Sequence, residues 1–312
     1  MKRPATSLLG TTIAIMTVSC SHPVPSPRAA PLDLTWIPFY WAAASDDSLN
    51  FPQAAILLEV PLRAGPAPSL VQLDLAASGS MPDGFPPPQL RADRQLVRRT
   101  GELHGLLAGM TEVSMRRGSM PAEDLAMQEI GVFGLANYDR QGLIIDMRGR
   151  RLATFAPPAD LSPAFGSGTV VVPIEFTTNR VLIPITVGGT NTFHALLDTG
   201  LSPFPLWTTF ALWQRLTGRH GPGVGTRSYH LPGKSGALRF VGAPVTQRLR
   251  LGSWPLQGFE VVYLADGPPG AALESWPNHV DAVVEPIALT ATGWIILDIP
   301  HRQLGLAPPR RR

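Results

Sequence analysis

Residues 194–203, HALLDTGLSP, close an apolar run on Asp198, in a turn built from Thr199 and Gly200. An aspartate in that setting either caps backbone N–H groups of its own turn or serves as half of a pair. The chain offers a partner. The stretch 57–78, LLEVPLRAGPAPSLVQLDLAAS, aligns without a gap on 181–202, VLIPITVGGTNTFHALLDTGLS, placing Asp74 on Asp198. Gly65 then falls on Gly189, Leu73 on Leu197 and Ser78 on Ser202. Two carboxyls held face to face cannot both ionise, so they share one proton. One acts as base toward a bound water while the other, protonated, polarises a carbonyl. The roles reverse as the amine departs, which is general acid–base hydrolysis without a covalent intermediate.

Such a pair needs a scaffold that brings equivalent turns together, and the rest of the chain repeats as well. RGSMPAEDLAM (117–127) matches LGSWPLQGFEV (251–261), and GVFGLANYDRQGLIIDMRGRRL (131–152) echoes AVVEPIALTATGWIILDIPHRQL (282–304). Asp146 answers Asp298 in the second echo, and both read as turn formers. With 33 Pro and 30 Gly, long helices are few and short strands with turns are expected. The expected fold is mostly β: two related lobes about a pseudo-two-fold axis, facing each other across a cleft. The expected division is a leader over 1–19, a Pro-rich linker over 20–50, a first lobe over 51–158 and a second over 159–312. The seam is the Pro/Gly/Ser/Ala stretch 155–168. TWIPFYWAAA (35–44) reads as a buried strand or packing segment, too short to cross a membrane. One helix is predicted over 208–218, with Thr at its start and Gly218 as its stop.

ALLDTGLS, followed by a short helix ending in RLTG, resembles the retropepsin-like aspartic peptidases of bacteria, and the duplication resembles the bilobal plan of pepsin-like enzymes. The likeness covers roughly residues 51–308. It implies an endopeptidase whose catalytic aspartates are Asp74 and Asp198. It implies that Thr199 locks the two loops together and that Gly200 lets the carboxylate sit against backbone N–H groups. Ser78 and Ser202 are candidate hydrogen-bond partners behind the aspartates. VFG (132–134) matches a hydrophobic-hydrophobic-Gly strand that passes beside the catalytic loop. The family covers its cleft with a flap from the first lobe. The matching stretch here, RRTGELHGLLAGM (98–110), has no tyrosine and offers His104, either as a cap on the cleft or as an exposed loop histidine.

Three residues depart from that pattern. Leu75 stands where the first lobe would carry threonine, Ala76 adds a methyl where glycine is usual, and Glu285 replaces the glycine of the second VFG-like strand. They support the alternative, a non-enzymatic lipoprotein that holds a peptide or partner protein in its cleft.

Other chemistries find little support. The chain has one cysteine and scattered histidines, so no metal site or cofactor is expected. RHGPGVGTRSYH (219–230) lacks the strand–glycine loop–helix setting of a nucleotide fingerprint and reads as a loop. No Gly-x-Ser-x-Gly elbow occurs. A formal charge of +3 without a basic aromatic stripe argues against nucleic acid.

At the N-terminus, Lys2 and Arg3 precede an apolar run, SLLGTTIAIMTV (7–18), and then Ser19 and Cys20. This is the layout of an export signal. TVSC resembles a bacterial lipobox, with Thr17 where leucine is usual, and implies acylation of Cys20. The expected protein is therefore a monomer exported to the bacterial cell envelope, anchored by lipid and facing the periplasm, with peptide or protein as substrate.

Overall fold

The computed structural model describes residues 34–45, 50–60, 69–76, 129–134, 141–158, 161–177, 180–200, 203–233, 236–267, 273–275 and 280–308. The leader with Cys20, Ser78, the proposed flap with His104, Ser202, and the tail 309–312 lie outside the described residues.

The first half contributes β1 (Ile37–Ser45), β2 (Asn50–Val60), β3 (Ser69–Leu73), β4 (Glu129–Phe133), β5 (Gly142–Asp146) and β6 (Arg151–Phe155). A five-residue helix, α1 (Leu161–Phe165), follows within the stretch read as a linker, and Gly166 at φ 106 stops it. The second half contributes β7 (Val170–Pro173), β8 (Glu175–Thr177), β9 (Arg180–Val187), β10 (Asn191–Leu197), β11 (Leu206–Thr208), α2 (Phe210–Thr217) and β12 (Arg227–Gly233). After these come β13 (Gly236–Pro244), β14 (Leu249–Leu251), β15 (Trp254–Leu256), β16 (Glu260–Asp266), β17 (Ala282–Val284), β18 (Trp294–Asp298) and β19 (Gln303–Ala307). One sheet runs β4-β3-β2-β1-β6-β5-β18-β19-β7, and the other runs β12-β13-β16-β11-β17-β10-β9-β14-β15 with β8 on β9.

The fold is mostly β and internally duplicated. β2 and β3 pair antiparallel and β3 and β4 parallel; β9 and β10 pair antiparallel and β10 and β17 parallel. Asp74 follows the first of these central strands and Asp198 the second. The halves join at β5 and β18, whose apolar runs are buried throughout. Ile144 pairs with Ile296 there, and each is the other's counterpart when Asp146 is matched to Asp298, so the pseudo-two-fold axis passes through that pair. Details far from the axis obey the same relation. Arg150 at φ 49 accepts from the N–H of Phe39, and Arg302 at φ 55 accepts from that of Ile174. Asp146 Oδ1 takes the N–H of Gly149 at 2.7 Å, and Asp298 Oδ1 takes that of His301 at 3.1 Å, the turn-forming role assigned to both.

Three sequence expectations need correction. The gapless alignment is one residue out in the first hairpin: Leu57 pairs with Gln72, whereas Leu182 pairs with Leu196. Ile56 and Leu58 therefore correspond to Val181 and Ile183, and all four face the main core. A one-residue slip would have turned them to the other face of the sheet. Next, the linker boundary at 50 falls too late, because the buried strand read in 35–44 is β1 of the first sheet. β1 pairs with both β2 and β6 and buries Phe39 and Trp41, because an aromatic strand has more to gain in a sheet than in water. Finally, the glycine-rich stretch 219–230 ends as strand, its last four residues opening β12 against β13.

α2 is set by its ends. Thr209 caps it by accepting the Leu212 N–H at 3.3 Å, and Gly218 at φ 68 closes it. Leu212, Trp213 and Leu216 are buried, and the Trp213 indole N–H donates to the Val261 carbonyl on β16. Thr209→Ala should cost about 1 kcal/mol in denaturant unfolding, the usual worth of such a cap.

Candidate active site

β3 and β10 each lie between two hydrogen-bonded neighbours, so the turns that follow them are held from both sides. Each turn is closed in the same way. Asp74 Oδ1 accepts the N–H of Ala76 at 2.9 Å, and Asp198 Oδ1 accepts that of Gly200 at 2.9 Å. For Asp198 the turn-capping reading and the paired one are thus compatible, because the cap bond uses Oδ1 and Oδ2 lies apart from it. The Asp198 backbone N–H is anchored to the Val284 carbonyl on β17 at 3.1 Å.

The fold brings the two turns together. Thr199 Oγ1 donates to the Leu73 carbonyl at 2.6 Å and accepts the Leu75 N–H at 3.0 Å. In the opposite direction Gln72 Nε2 donates to the Gly200 carbonyl at 3.0 Å. Asp74 and Asp198 are 3% and 1% exposed, so both carboxyls are out of bulk water. The Asp198 pKa is raised well above its ordinary value of 3.8. Burial is the largest cause, followed by the negative charge of Asp74. The N–H groups of Gly200 and Thr199 favour the ionised form but are outweighed, and a hydrogen bond with Asp74 adds to the rise. Among the described residues no N–H or hydroxyl bonds Asp198 Oδ2.

One of the departures from the family pattern is absorbed by the packing. Ala76 sits against an apolar cluster of the second lobe that contains Leu196, Phe204, Trp207 and Val283, so its methyl has a place. Gly200 has no such room: a Cβ there would lie 1.9 Å from Gln72 Nε2. Gly200→Ala should displace the Gln72 amide and lower stability by about 1–3 kcal/mol, measured by denaturant unfolding. Glu285 is buried at 3% exposure, and its N–H donates to the Pro205 carbonyl at 3.1 Å, opening a 3₁₀ turn over Pro286–Thr292. The third departure stands: the Leu75 side chain is wholly buried in the main core and has no polar atom to send across.

Asp74, Asp198, Thr199 and Gly200 thus converge, while Ser78, Ser202, His104 and Cys20 fall outside the described residues. Gln72 was not foreseen. Its signal was a polar residue inside an apolar strand, two positions before Asp74 and so on the same face.

No protein-family model matches the chain, and no curated protein matches it. The chain is similar to the solved structure of basic 7S globulin from soybean, with 11% identity over 89% of this chain and 95% of that one and a TM-score of 0.46. It is also similar to conglutin gamma, a basic 7S globulin from lupine seeds, with 11% identity over 88% and 95% and a TM-score of 0.44. A third similar structure is an aspartic proteinase from Irpex lacteus, with 14% identity over 88% and 97% and a TM-score of 0.42. The two-lobed plan stands on the strand registers of the chain itself.

Proposed function

We propose that the chain is an aspartic-type endopeptidase, exported and tethered to the bacterial cell envelope through a lipid on Cys20, acting as a monomer on peptide or protein substrates. The observation that carries the reading is the buried carboxyl pair. Asp74 acts on Asp198 through charge and hydrogen bonding, and among the described residues Asp198 Oδ2 has no N–H or hydroxyl partner.

The chemistry follows from where the proton sits. The pair titrates as a unit, and this scheme assigns the shared proton to Asp198 and the role of base to Asp74. Asp74 takes a proton from a water bound between the carboxyls as the water oxygen attacks the peptide carbonyl, whose oxygen receives the Asp198 proton. Asp74 then passes its proton to the amide nitrogen, the C–N bond breaks, and Asp198 recovers a proton from the tetrahedral hydroxyl. Thr199 and Gly200 hold the second turn while this happens. Because both lobes belong to one chain, no second copy is needed to complete the pair.

The test is incubation of the purified protein with a mixed peptide library from acid to neutral pH, with products read by mass spectrometry. Cleavage that disappears in Asp74→Asn is expected. Equal product from both proteins, or none from the wild type at any pH, would contradict the reading.

Leu75 favours a second reading, a binding protein that keeps the cleft without the chemistry, because the first lobe lacks the hydroxyl that Thr199 provides from the second. In that case calorimetry would detect peptides bound and released intact, equally by the wild type and by Asp74→Asn.

A further inference from the structure

Matching Asp74 to Asp198 makes Leu75 the counterpart of Thr199, Gln72 that of Leu196, and Ala76 that of Gly200. Thr199 reaches from the second lobe into the first and bonds two backbone groups there. By symmetry a hydroxyl at position 75 would do the same in return, but Leu75 fills the main core instead. The return bond exists nonetheless, from a different place. Gln72, one strand face with Asp74, extends its amide to the Gly200 carbonyl, while the Gly200 N–H is already committed to Asp198 Oδ1. Gly200 is therefore gripped on one side by the aspartate it supports and on the other by the strand that carries Asp74. The contact is one-sided: at the equivalent place in the other lobe, Ala76 packs against the apolar cluster that holds Leu196.

We propose that Gln72 is the first lobe's positioning residue for the carboxyl pair, replacing the hydroxyl that Leu75 lacks. The inference builds on the endopeptidase reading, since its purpose is to fix the two carboxyls relative to each other. A glutamine at 72 has the reach for this, and a leucine at 75 keeps the core filled, so the two residues work as one exchange.

The experiment compares wild type, Gln72→Met and the double variant Gln72→Met/Leu75→Thr. Methionine keeps the length and volume of glutamine and removes the donor. Two readouts are taken: the titration steps of Asp74 and Asp198 by carboxyl 13C NMR, which needs no turnover, and kcat and KM on a peptide that the wild type cleaves. In Gln72→Met the two titration steps should draw together and kcat should fall about 10- to 100-fold with KM little changed, the cost of a small misplacement of reacting groups. Adding Leu75→Thr should restore both readouts, which a purely structural glutamine would not allow. If Gln72→Met fails to fold, a double variant that folds with separated steps supports the proposal. A Gln72→Met that titrates and turns over like the wild type overturns it, and so does a double variant no better than the single one. Should the wild type cleave nothing while the titration changes and their rescue appear, the endopeptidase reading fails and the role of Gln72 stands.

Discussion

Asp198→Asn should lower peptide hydrolysis by at least about 10³-fold, the scale of a lost general acid–base group, while making the protein more stable at neutral pH. Both effects come from one cause. Burial and the charge of Asp74 raise the pKa of Asp198 in the folded protein above its value in the unfolded chain. The folded state thus binds that proton more tightly, and the stability it contributes is fully present below the ordinary aspartate range. It is lost as pH rises through the raised native value. Asparagine has the same shape, accepts the Gly200 N–H through its own Oδ1, and never becomes charged. The unfolding midpoint of the variant should therefore exceed that of the wild type near neutrality, with the gap shrinking toward acid. Thermal unfolding across a pH series, run beside the turnover assay, checks this. A variant destabilised equally at every pH would mean that the Asp198 carboxyl carries no charge burden in the folded state.

Thr199→Val should be the most damaging substitution near the pair that leaves both carboxyls in place. Valine matches threonine in shape but deletes the hydroxyl, stranding the Leu73 carbonyl and the Leu75 N–H between the lobes. Each buried group left unpaired costs about 1–3 kcal/mol, so a loss of about 2–6 kcal/mol in denaturant unfolding is expected. Turnover should fall with it, because the Thr199 bonds hold the Asp198 turn against the Asp74 turn. Thr199→Ser, which keeps the hydroxyl, should stay close to the wild type in both measurements. Equal losses in the serine and valine variants would assign the effect to packing and remove the cross-lobe bonds from the explanation.

Much of this arrangement was legible in the sequence, because it depends on features that are local and repeated. The aspartates stand where apolar strands end, the order of elements recurs, and Asp146 and Asp298 cap matching turns. α2 was readable from Thr209 and Gly218, residues whose chemistry acts within one turn. What escaped depends on contacts between distant segments. Coincident glycines, Gly65 and Gly189, concealed the extra residue in the first hairpin, which only the facing of Ile56 and Leu58 reveals. Ala76 looked like an obstruction until an apolar cluster from the other lobe was found against it. Gln72 stands out only as a polar residue in an apolar strand, and its role is hidden because the carbonyl it serves lies 128 positions away in the chain. A single strand, β3, thus carries one aspartate and steadies the turn of the other.

The most direct test is a neutron crystal structure of the deuterated protein grown at a pH just above the ordinary aspartate range. One deuteron lying between the carboxyls of Asp74 and Asp198, with a single water molecule bridging them, is the expected result. Two bare carboxylates, or carboxyls turned to separate partners with no deuteron between them, would contradict it.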